Sequence, residues 1–351
     1  MKWRGFFLHL LGVVLGGSAL LFLVLMLADP WGTLSIASPV ARTPADRSQR
    51  WAYPELARSP KFDAAIIGNS TSRLFNPADL DPAVGATFAN LAMVHSFAYE
   101  QMQLLDVFLR AHPAPRALMV GLDRLWCERG DDLEHFGYGP LPVWLYRDDR
   151  PLWALGALAN LFNMHAIETA WRSAAAILAG PERPFGANGY QLLDVDFHRF
   201  DPVLAKSLIA QNLAEPWLPP PNADPATWHY VALDWLRERV DTLPSSTRLL
   251  LVFVPRHHLY PAPDTVGAAM MQGCKDRVVA LAKGRANTAV YDLSLPGPMT
   301  LDESRWWDAV HMRPEPMAQL SRDLAAAVAG RDGETVRTLI ATQPRSSVSS
   351  R

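Results

Sequence analysis

The stretch Phe62–Ser72 reads FDAAIIGNSTS and decides the fold expected for this chain. Its apolar part, Ala64–Ile67, has the length and composition of a buried strand. Gly68 follows at once, and glycine permits the sharp turn that exposes a side chain where a strand ends. Ser70 is therefore predicted to stand at the carboxyl end of a strand.

A late segment, Trp306–Met312 (WWDAVHM), supplies the groups that a serine needs for nucleophilic attack. A serine hydroxyl is a poor nucleophile until an imidazole takes its proton, and a carboxylate holds that imidazole in the right tautomer. Ser70, His311 and Asp308 are thus predicted as nucleophile, general base and orienting carboxylate. Ser72 is the alternative nucleophile, should the preceding glycine not set the turn.

The same Asp-to-His interval occurs a second time, at Asp132 and His135 in GDDLEHFGYG. No strand pattern precedes this copy, and its surroundings are rich in glycine and proline. We interpret it as a solvated loop. Context therefore separates the two copies.

Strand-like and helix-like patterns alternate along the chain. The predicted strands are Phe62–Ile67, Thr87–Ala92, Ala117–Gly121, Leu249–Val254 and Ala289–Leu293. The helical patterns between them include Tyr99–Ala111, Ala226–Val240 and Met270–Lys283. This alternation of five strands with helices predicts an α/β domain with a parallel sheet covered on both faces.

Polar residues follow the predicted strands, and ligands of open α/β sheets bind outside the carboxyl ends of the strands. The residues expected to gather at that edge are Ser70, Asn90, Asp123, Arg256, His257, His258, Asp308 and His311. Arg73, Asp123, Arg256 and His257 are candidates for substrate binding. Capping of the next helix is the alternative for Arg73, an ion pair for Arg256, and an ordinary loop position for His257.

Two motifs, GNSTS at Gly68–Ser72 and DAVH at Asp308–His311, resemble the first and last blocks of the SGNH (GDSL-like) hydrolase superfamily. The similarity is greatest to its membrane-anchored branch, which includes alginate O-acetylation proteins. The resemblance implies a three-layer α/β/α fold with a parallel five-stranded flavodoxin-like sheet. It also implies ester hydrolysis or acyl transfer by Ser70, His311 and Asp308.

Two inner blocks depart from that family. The family's second block has a glycine that donates to the oxyanion, whereas FANLAMVHS contains Asn90 but no glycine. The asparagine of the third block is absent from VGLDRLW, where Asp123 is the nearest polar residue. Asn90 and the backbone amide of Ser70 are the predicted oxyanion donors. A carboxylate would repel an oxyanion, so Asp123 is expected to point elsewhere or to leave this task to another donor.

The N-terminal segment Phe6–Ala28 is apolar and carries no charged side chain apart from His9. Such a segment is long enough to span about 30 Å of hydrocarbon. Lys2 and Arg4 precede it and Arg42 is the next basic residue, which predicts a cytoplasmic N-terminus. We expect a single-pass protein of a bacterial-type inner membrane with a periplasmic catalytic domain. A cleaved signal peptide is the rival interpretation.

The chain of 351 residues, 49% of them hydrophobic, is long enough to bury a substantial core. The predicted parts are a cytoplasmic N-terminus with its anchor (1–28), a stalk (29–59), the SGNH-like domain (60–330) and a disordered tail (331–351). An insertion rich in tryptophan and proline occupies about 124–224. Within it, Leu152–Leu178 is predicted to be helical and either to cap the active edge or to pack against the membrane.

Several ligand classes are not expected. A formal charge of -2 gives no electrostatic case for nucleic acid. Cys127 and Cys274 lack the spacings of a zinc site, so no metal or other cofactor is predicted; whether they form a disulfide is left open.

We expect a serine esterase or O-acyltransferase that acts on cell-envelope or exported glycan. By analogy, its partner is a membrane-embedded acyl-donor protein. The alternatives are a catalytically silent glycan-binding or scaffold protein, and a lipid or thioester hydrolase.

Overall fold

The protein is an α/β protein with a mixed sheet of six strands and a long apolar helix at its N-terminus. The computed structural model describes residues 2–30, 49–128, 141–146, 156, 159, 161, 163–179, 186–190, 200–215, 228–331 and 335–343.

The strands are β1 (Ala64–Ile67), β2 (Phe88–Asn90), β3 (Ala117–Leu122), β4 (Arg248–Phe253), β5 (Thr288–Asp292) and β6 (Arg337–Ala341). Their order in the sheet is β2-β1-β3-β4-β5-β6. Strands β1–β5 are all parallel to one another, as the sequence predicts. Strand β6 pairs with β5 in the antiparallel direction. The sheet is therefore mixed and has one strand more than the five predicted.

The helices are α1 (Lys2–Ala28), α2 (Gln49–Arg58), α3 (Pro77–Val84), α4 (Ala98–Ala111), α5 (Arg124–Cys127), α6 (Val143–Tyr146), α7 (Met164–Ala179), α8 (Pro202–Ala214), α9 (Val231–Thr242), α10 (Val266–Lys283) and α11 (Pro314–Val328). The pattern predicted over Ala226–Val240 begins later than expected, since Trp228, His229 and Tyr230 precede the first turn of α9.

Strands β1–β5 are buried on both faces of the sheet, which explains why most of their residues are apolar, whereas the edge strand β6 is partly exposed. Alternate residues of β1 enter opposite cores: Ala65 and Ile67 pack with α2, α4, α9 and α10. Ala64 and Ile66 pack with α3 and α11 on the other face. Burial on both sides leaves the carboxyl edge of the sheet as the place where polar side chains can gather.

Helix α2 lies within the predicted stalk (29–59), so that prediction is wrong for residues 49–58. Tyr53 of this helix is buried in the domain core. The Arg50 guanidinium donates from Nε to Glu100 Oε1 at 2.5 Å and from Nη2 to Glu100 Oε2 at 2.9 Å, and both side chains are buried. Residues 49–58 therefore belong to the domain, while 31–48 lie outside the described residues.

Strand β6 corrects the predicted tail. Arg337–Ala341 pairs with β5, and Thr342 N donates to Thr288 O at 2.8 Å. Leu339 and Ile340 pack against the core, so a short apolar pair is enough to hold this edge strand. Residues 344–351 lie outside the described residues.

The predicted insertion is described only in part. The helix predicted over Leu152–Leu178 is seen as α7, and Trp126 is fully buried in the core. Asp132, His135, Trp153, Trp217 and the side chain of Trp144 lie outside the described residues. Cys127 and Cys274 form a disulfide that joins α5 to α10.

Helix α1 is long and apolar enough to cross a membrane. The window Trp3–Ala28 has a mean hydropathy of 2.6, and among the described residues it is the one candidate span. Most of its large apolar side chains are exposed, including Phe6, Leu15 and Leu23. A signal sequence near an N-terminus has the same properties, so both interpretations of this segment stand.

Candidate active site

The chain leaves β1 through Gly68 and Asn69 and enters a 3-10 turn at Ser70–Ser72. Asn69 caps this turn: its Oδ1 accepts hydrogen bonds from Thr71 N at 3.1 Å and from Thr71 Oγ1 at 2.7 Å. An asparagine in this capping position satisfies an amide that the turn cannot. The cap fixes Ser70 as the first residue of the turn, at the carboxyl end of β1.

Ser70, His311 and Asp308 lie in one hydrogen-bonded line. Ser70 Oγ is 2.8 Å from His311 Nε2, and His311 Nδ1 is 2.7 Å from Asp308 Oδ2. Both distances are within hydrogen-bonding range. The order of hydroxyl, imidazole and carboxylate is the order in which a serine nucleophile is activated.

The loop that carries Asp308 and His311 is held from three sides. Asp308 Oδ1 accepts from Val310 N and His311 N, each at 2.7 Å. His257 N, in the loop after β4, donates to Ala309 O at 2.9 Å. Ala309 N donates to Asn212 Oδ1 of α8 at 3.1 Å. These contacts, rather than the Asp-to-His spacing alone, place the imidazole over Ser70.

The environment of Asp308 keeps it ionised. Burial acts to raise the pKa of its carboxyl, but the hydrogen bond and the charge of His311, together with the amides of Val310 and His311, outweigh burial and lower the pKa. A carboxylate that remains negative at neutral pH holds the Nδ1 proton of the imidazole and stabilises an imidazolium.

Ser72 is not part of this hydrogen-bonded line, because its side chain is buried under the turn. It lies between two glycines: a Cβ added to Gly68 would be 2.3 Å from Ser72 Oγ, and one added to Gly121 would be 2.0 Å from it. The turn can therefore pack on β3 only because neither position has a side chain. A glycine inside a strand often marks a place where another part of the chain approaches closely. Gly121 is therefore the residue from which this close packing could be predicted.

Asn90 does not serve as predicted. It is fully buried, and its Nδ2 donates to the carbonyl oxygens of Ser72 at 3.3 Å, Arg73 at 3.1 Å and Phe75 at 2.9 Å. An amide engaged by three carbonyls is not available to a substrate oxyanion, so the prediction that Asn90 is an oxyanion donor is wrong. Asn90 instead fixes the chain that follows the nucleophile.

Asp123 lies under the same turn. Its Oδ1 accepts from Leu125 N at 3.0 Å, which caps α5, and its Oδ2 accepts from Asn69 Nδ2. Burial raises the pKa of Asp123 to about 6, although the hydrogen bond from Asn69 acts in the opposite direction. The carboxyl group is thus committed to Asn69 and to the start of α5.

Arg73 ends the nucleophile turn. Its backbone amide donates to Ser70 O at 3.4 Å, and its half-buried side chain is close enough for its charge to lower the pKa of Tyr53, which burial raises to about 12. The next helix is capped by Asn76, whose Oδ1 accepts from Ala78 N, so Arg73 does not cap it. A substrate contact by Arg73 stays a prediction.

Arg256 follows β4 and is half-buried. Burial lowers the pKa of its guanidinium to about 10, and the charges of Asp292 and Tyr260 oppose this shift. Among the described residues no ion pair is formed by Arg256, so the ion-pair alternative gains no support. Binding of an anionic substrate group by Arg256 stays a prediction.

His257 is a structural residue. Its ring is fully buried, 6.2 Å from the Trp306 ring and 4.4 Å from the His258 ring between centroids. Burial and the neighbouring His258 lower its pKa, which favours the neutral imidazole. The prediction that His257 contacts substrate is therefore wrong, and its backbone amide instead positions the loop of Asp308.

Two residues of the site, Asn69 and Asn212, are not among those predicted from the sequence. Asn69 precedes the nucleophile in GNSTS, and an asparagine before a helical turn is a recognisable capping signal. Asn212 lies far along the chain in the predicted insertion and carries no local signal. Through Asn212, helix α8 of the predicted insertion contacts the loop of the candidate triad.

Comparison with known proteins gives no family assignment, because no protein-family model and no curated protein sequence matches the chain significantly. Among the described residues, no group of three or more His, Cys, Asp or Glu side chains is arranged to hold a metal ion.

Gly121→Ala is expected to lower the free energy of unfolding by about 1–3 kcal/mol, as overpacking does in a close-packed core. The added methyl would meet Ser72 Oγ at 2.0 Å and Val254 Cγ1 at 3.2 Å. Chemical denaturation of the full chain in detergent measures the change. Gly297→Ala is the matched control, since its nearest neighbour is Leu295 O at 3.9 Å.

Adding Ser72→Ala to Gly121→Ala should restore part of the lost stability. It removes the hydroxyl but leaves Ser72 Cβ, which is 3.1 Å from the added methyl. A double variant no more stable than Gly121→Ala would show that Ser72 is not what the glycine accommodates.

Asp123→Asn is expected to stabilise the protein at pH 8, by on the order of 1–2 kcal/mol. In the folded state the pKa of Asp123 is about 6, above the value of about 3.9 for an unfolded aspartate. The wild type therefore loses stability from this group as pH rises from about 4 to 6, and the full cost is present above pH 6. Asparagine removes the buried charge and can still cap α5, but it cannot also accept from Asn69 Nδ2, so the expected gain is smaller than the full cost of the charge.

Denaturation at pH 8 and pH 4.5 tests this prediction, with a gap between variant and wild type that narrows toward the lower pH. Asp241→Asn, at an exposed position of α9, is the control. A gap of equal size at both pH values would contradict the proposed burial of a charged Asp123.

Proposed function

We propose that this protein is a membrane-anchored, extracytoplasmic serine esterase or O-acyltransferase. The observation that carries the proposal is the line from Ser70 Oγ to His311 Nε2 at 2.8 Å and from His311 Nδ1 to Asp308 Oδ2 at 2.7 Å. It is supported by the lowered pKa of Asp308, which suits a carboxylate that must stay negative beside an imidazolium.

In the first half of the reaction, Ser70 Oγ attacks the carbonyl carbon of an acyl ester while His311 Nε2 takes the hydroxyl proton. The tetrahedral intermediate collapses, the bond to the alcohol breaks, and His311 returns the proton to the departing oxygen. Asp308 remains ionised and holds Nδ1 throughout. The product is an ester between the acyl group and Ser70.

In the second half, a hydroxyl group attacks the acyl-enzyme while His311 again takes a proton, and the Ser70 oxygen leaves with that proton. Water as the attacking group makes the protein a hydrolase, and a sugar hydroxyl makes it a transferase. Attachment to a membrane favours transfer from a membrane-embedded acyl-donor protein to a glycan of the envelope or of an exported polysaccharide. The preference for transfer over hydrolysis rests on the resemblance to the SGNH superfamily and on the flavodoxin-like fold that the resemblance implies.

The backbone amide of Ser70 is our candidate for the principal oxyanion donor. It stands at the start of the 3-10 turn, before Ser72 N, which donates to Asn69 O at 3.0 Å. Amides at such a position point away from the turn and are suited to bind a developing negative charge. Asn90 is engaged elsewhere, so this proposal gives the side chain of Asn90 no part in the reaction.

Two independent features support a location outside the cytoplasm. Lys2 and Arg4 precede the apolar helix, which favours a cytoplasmic N-terminus and a domain on the far side of a bacterial-type inner membrane. The Cys127–Cys274 disulfide suits an oxidising compartment such as the periplasm.

Single-turnover release of p-nitrophenol from p-nitrophenyl acetate tests the chemistry. The full chain in detergent should give a burst close to one equivalent per protein. Ser70→Ala should abolish the burst because no acyl-enzyme can form, and His311→Ala should slow it by about a hundredfold or more, since general-base catalysis contributes on this scale.

Ser72→Ala is the matched control and should retain the burst, because Ser72 lies under the turn. A folded wild type without a burst on short or long acyl esters would favour a catalytically silent glycan-binding or scaffold protein. A burst that appears only with long acyl chains or thioesters would instead favour the lipid or thioester hydrolase.

A further inference from the structure

Helix α7 (Met164–Ala179) carries an exposed apolar stripe. Met164, Trp171 and Leu178 are 78%, 73% and 87% exposed. They recur every seven residues, and seven residues are nearly two helical turns, so the three side chains lie on one face. Large exposed apolar side chains aligned in this way indicate a surface that contacts a membrane or another protein.

The opposite face of α7 is packed against the rest of the protein. Ala166 and Thr169 are buried, and Ala166 packs with Leu25 of α1. The ring of Trp51, in α2, contacts the ring of His165 at 5.2 Å between centroids. Helix α7 is thus fixed to the apolar helix on one side and to the α/β domain on the other.

Helix α7 packs near the C-terminal end of α1. The α1 residues of this contact are Leu21, Phe22, Leu25 and Met26. Since α1 ends at Ala28 and each residue adds about 1.5 Å, the contact lies roughly 3–10 Å from the end of α1. Interfacial helices bury their apolar faces about 5–10 Å into the boundary between headgroups and acyl chains.

We propose that α7 is a second membrane contact, lying in the extracytoplasmic interface of the bilayer with Met164, Trp171 and Leu178 among the lipids. The polar flank fits this placement: Glu168 and Arg172, one turn apart, form an ion pair beside the stripe. Tryptophan is itself enriched at the interface. The proposal rests on membrane insertion of α1 and is independent of the triad chemistry.

This placement has a consequence for the proposed reaction. Two contacts, α1 and α7, would restrict rotation of the domain on the membrane, and α7 is joined to the domain through Trp51 of α2. The site would then keep a fixed height and direction above the bilayer, and a fixed orientation favours reaction with a membrane-embedded donor.

Nitroxide labels on the full chain in phosphatidylcholine vesicles test the proposal. The two native cysteines are joined in a disulfide, so Met164→Cys and Leu178→Cys each add the one free thiol. Both positions are exposed, and labelling should leave the core intact. We expect collisions with oxygen to exceed collisions with a water-soluble nickel chelate at both positions.

Two labelled controls make the outcomes distinct. Leu15→Cys on α1 reports membrane insertion of that helix, and Lys206→Cys on exposed α8 reports water. Nickel-dominated collisions at 164 and 178, with oxygen-dominated collisions at 15, would overturn the interfacial placement alone. Nickel-dominated collisions at 15 would overturn the anchor and this inference together, while leaving the triad untouched. Spin broadening at 164 or 178 that disappears on dilution with unlabelled protein would show a second copy on α7 instead of lipid.

Discussion

The hydrogen bond between Ser70 Oγ and His311 Nε2 joins two residues that are 241 positions apart in the sequence. It depends on the loop that carries His311 across the carboxyl edge of the sheet. Ser70 follows β1, whereas His311 follows β5, and β3 and β4 lie between them. Three contacts hold this loop: the His257 amide donates to Ala309 O, Asn212 Oδ1 accepts from Ala309 N, and Asp308 Oδ1 accepts from the amide of His311 in the same loop. Parallel strands with a common carboxyl edge make this convergence possible.

The turn that carries Ser70 depends on close packing rather than on charge. Absence of side chains at Gly68 and Gly121 lets Ser72 fill the space under the turn, and Asn69 and Asn90 secure the turn at its start and its end. Asp123 adds a buried carboxyl below Asn69 at some cost in stability above pH 6. This carboxyl is held by Asn69 and by the start of α5.

The five parallel strands and the positions of Ser70, Asp308 and His311 could be predicted because burial on both faces and the turn at Gly68 are local signals. Other features depend on partners distant in sequence. Helix α2 is stable in the core because Arg50 meets Glu100, β6 forms only against β5, and the amide of Asn90 is directed by carbonyls of the preceding turn. No window around any of these segments contains its partner, which is why a stalk, a tail and an oxyanion donor were predicted in their place.

The most direct test of the central claim, that His311 activates Ser70, is labelling with a fluorophosphonate followed by peptide mass spectrometry. A single adduct on Ser70 is expected, with none on Ser72 and with greatly slowed labelling in His311→Ala. Labelling of Ser70 that is unchanged in His311→Ala, or an adduct on Ser72 in the folded protein, would contradict it.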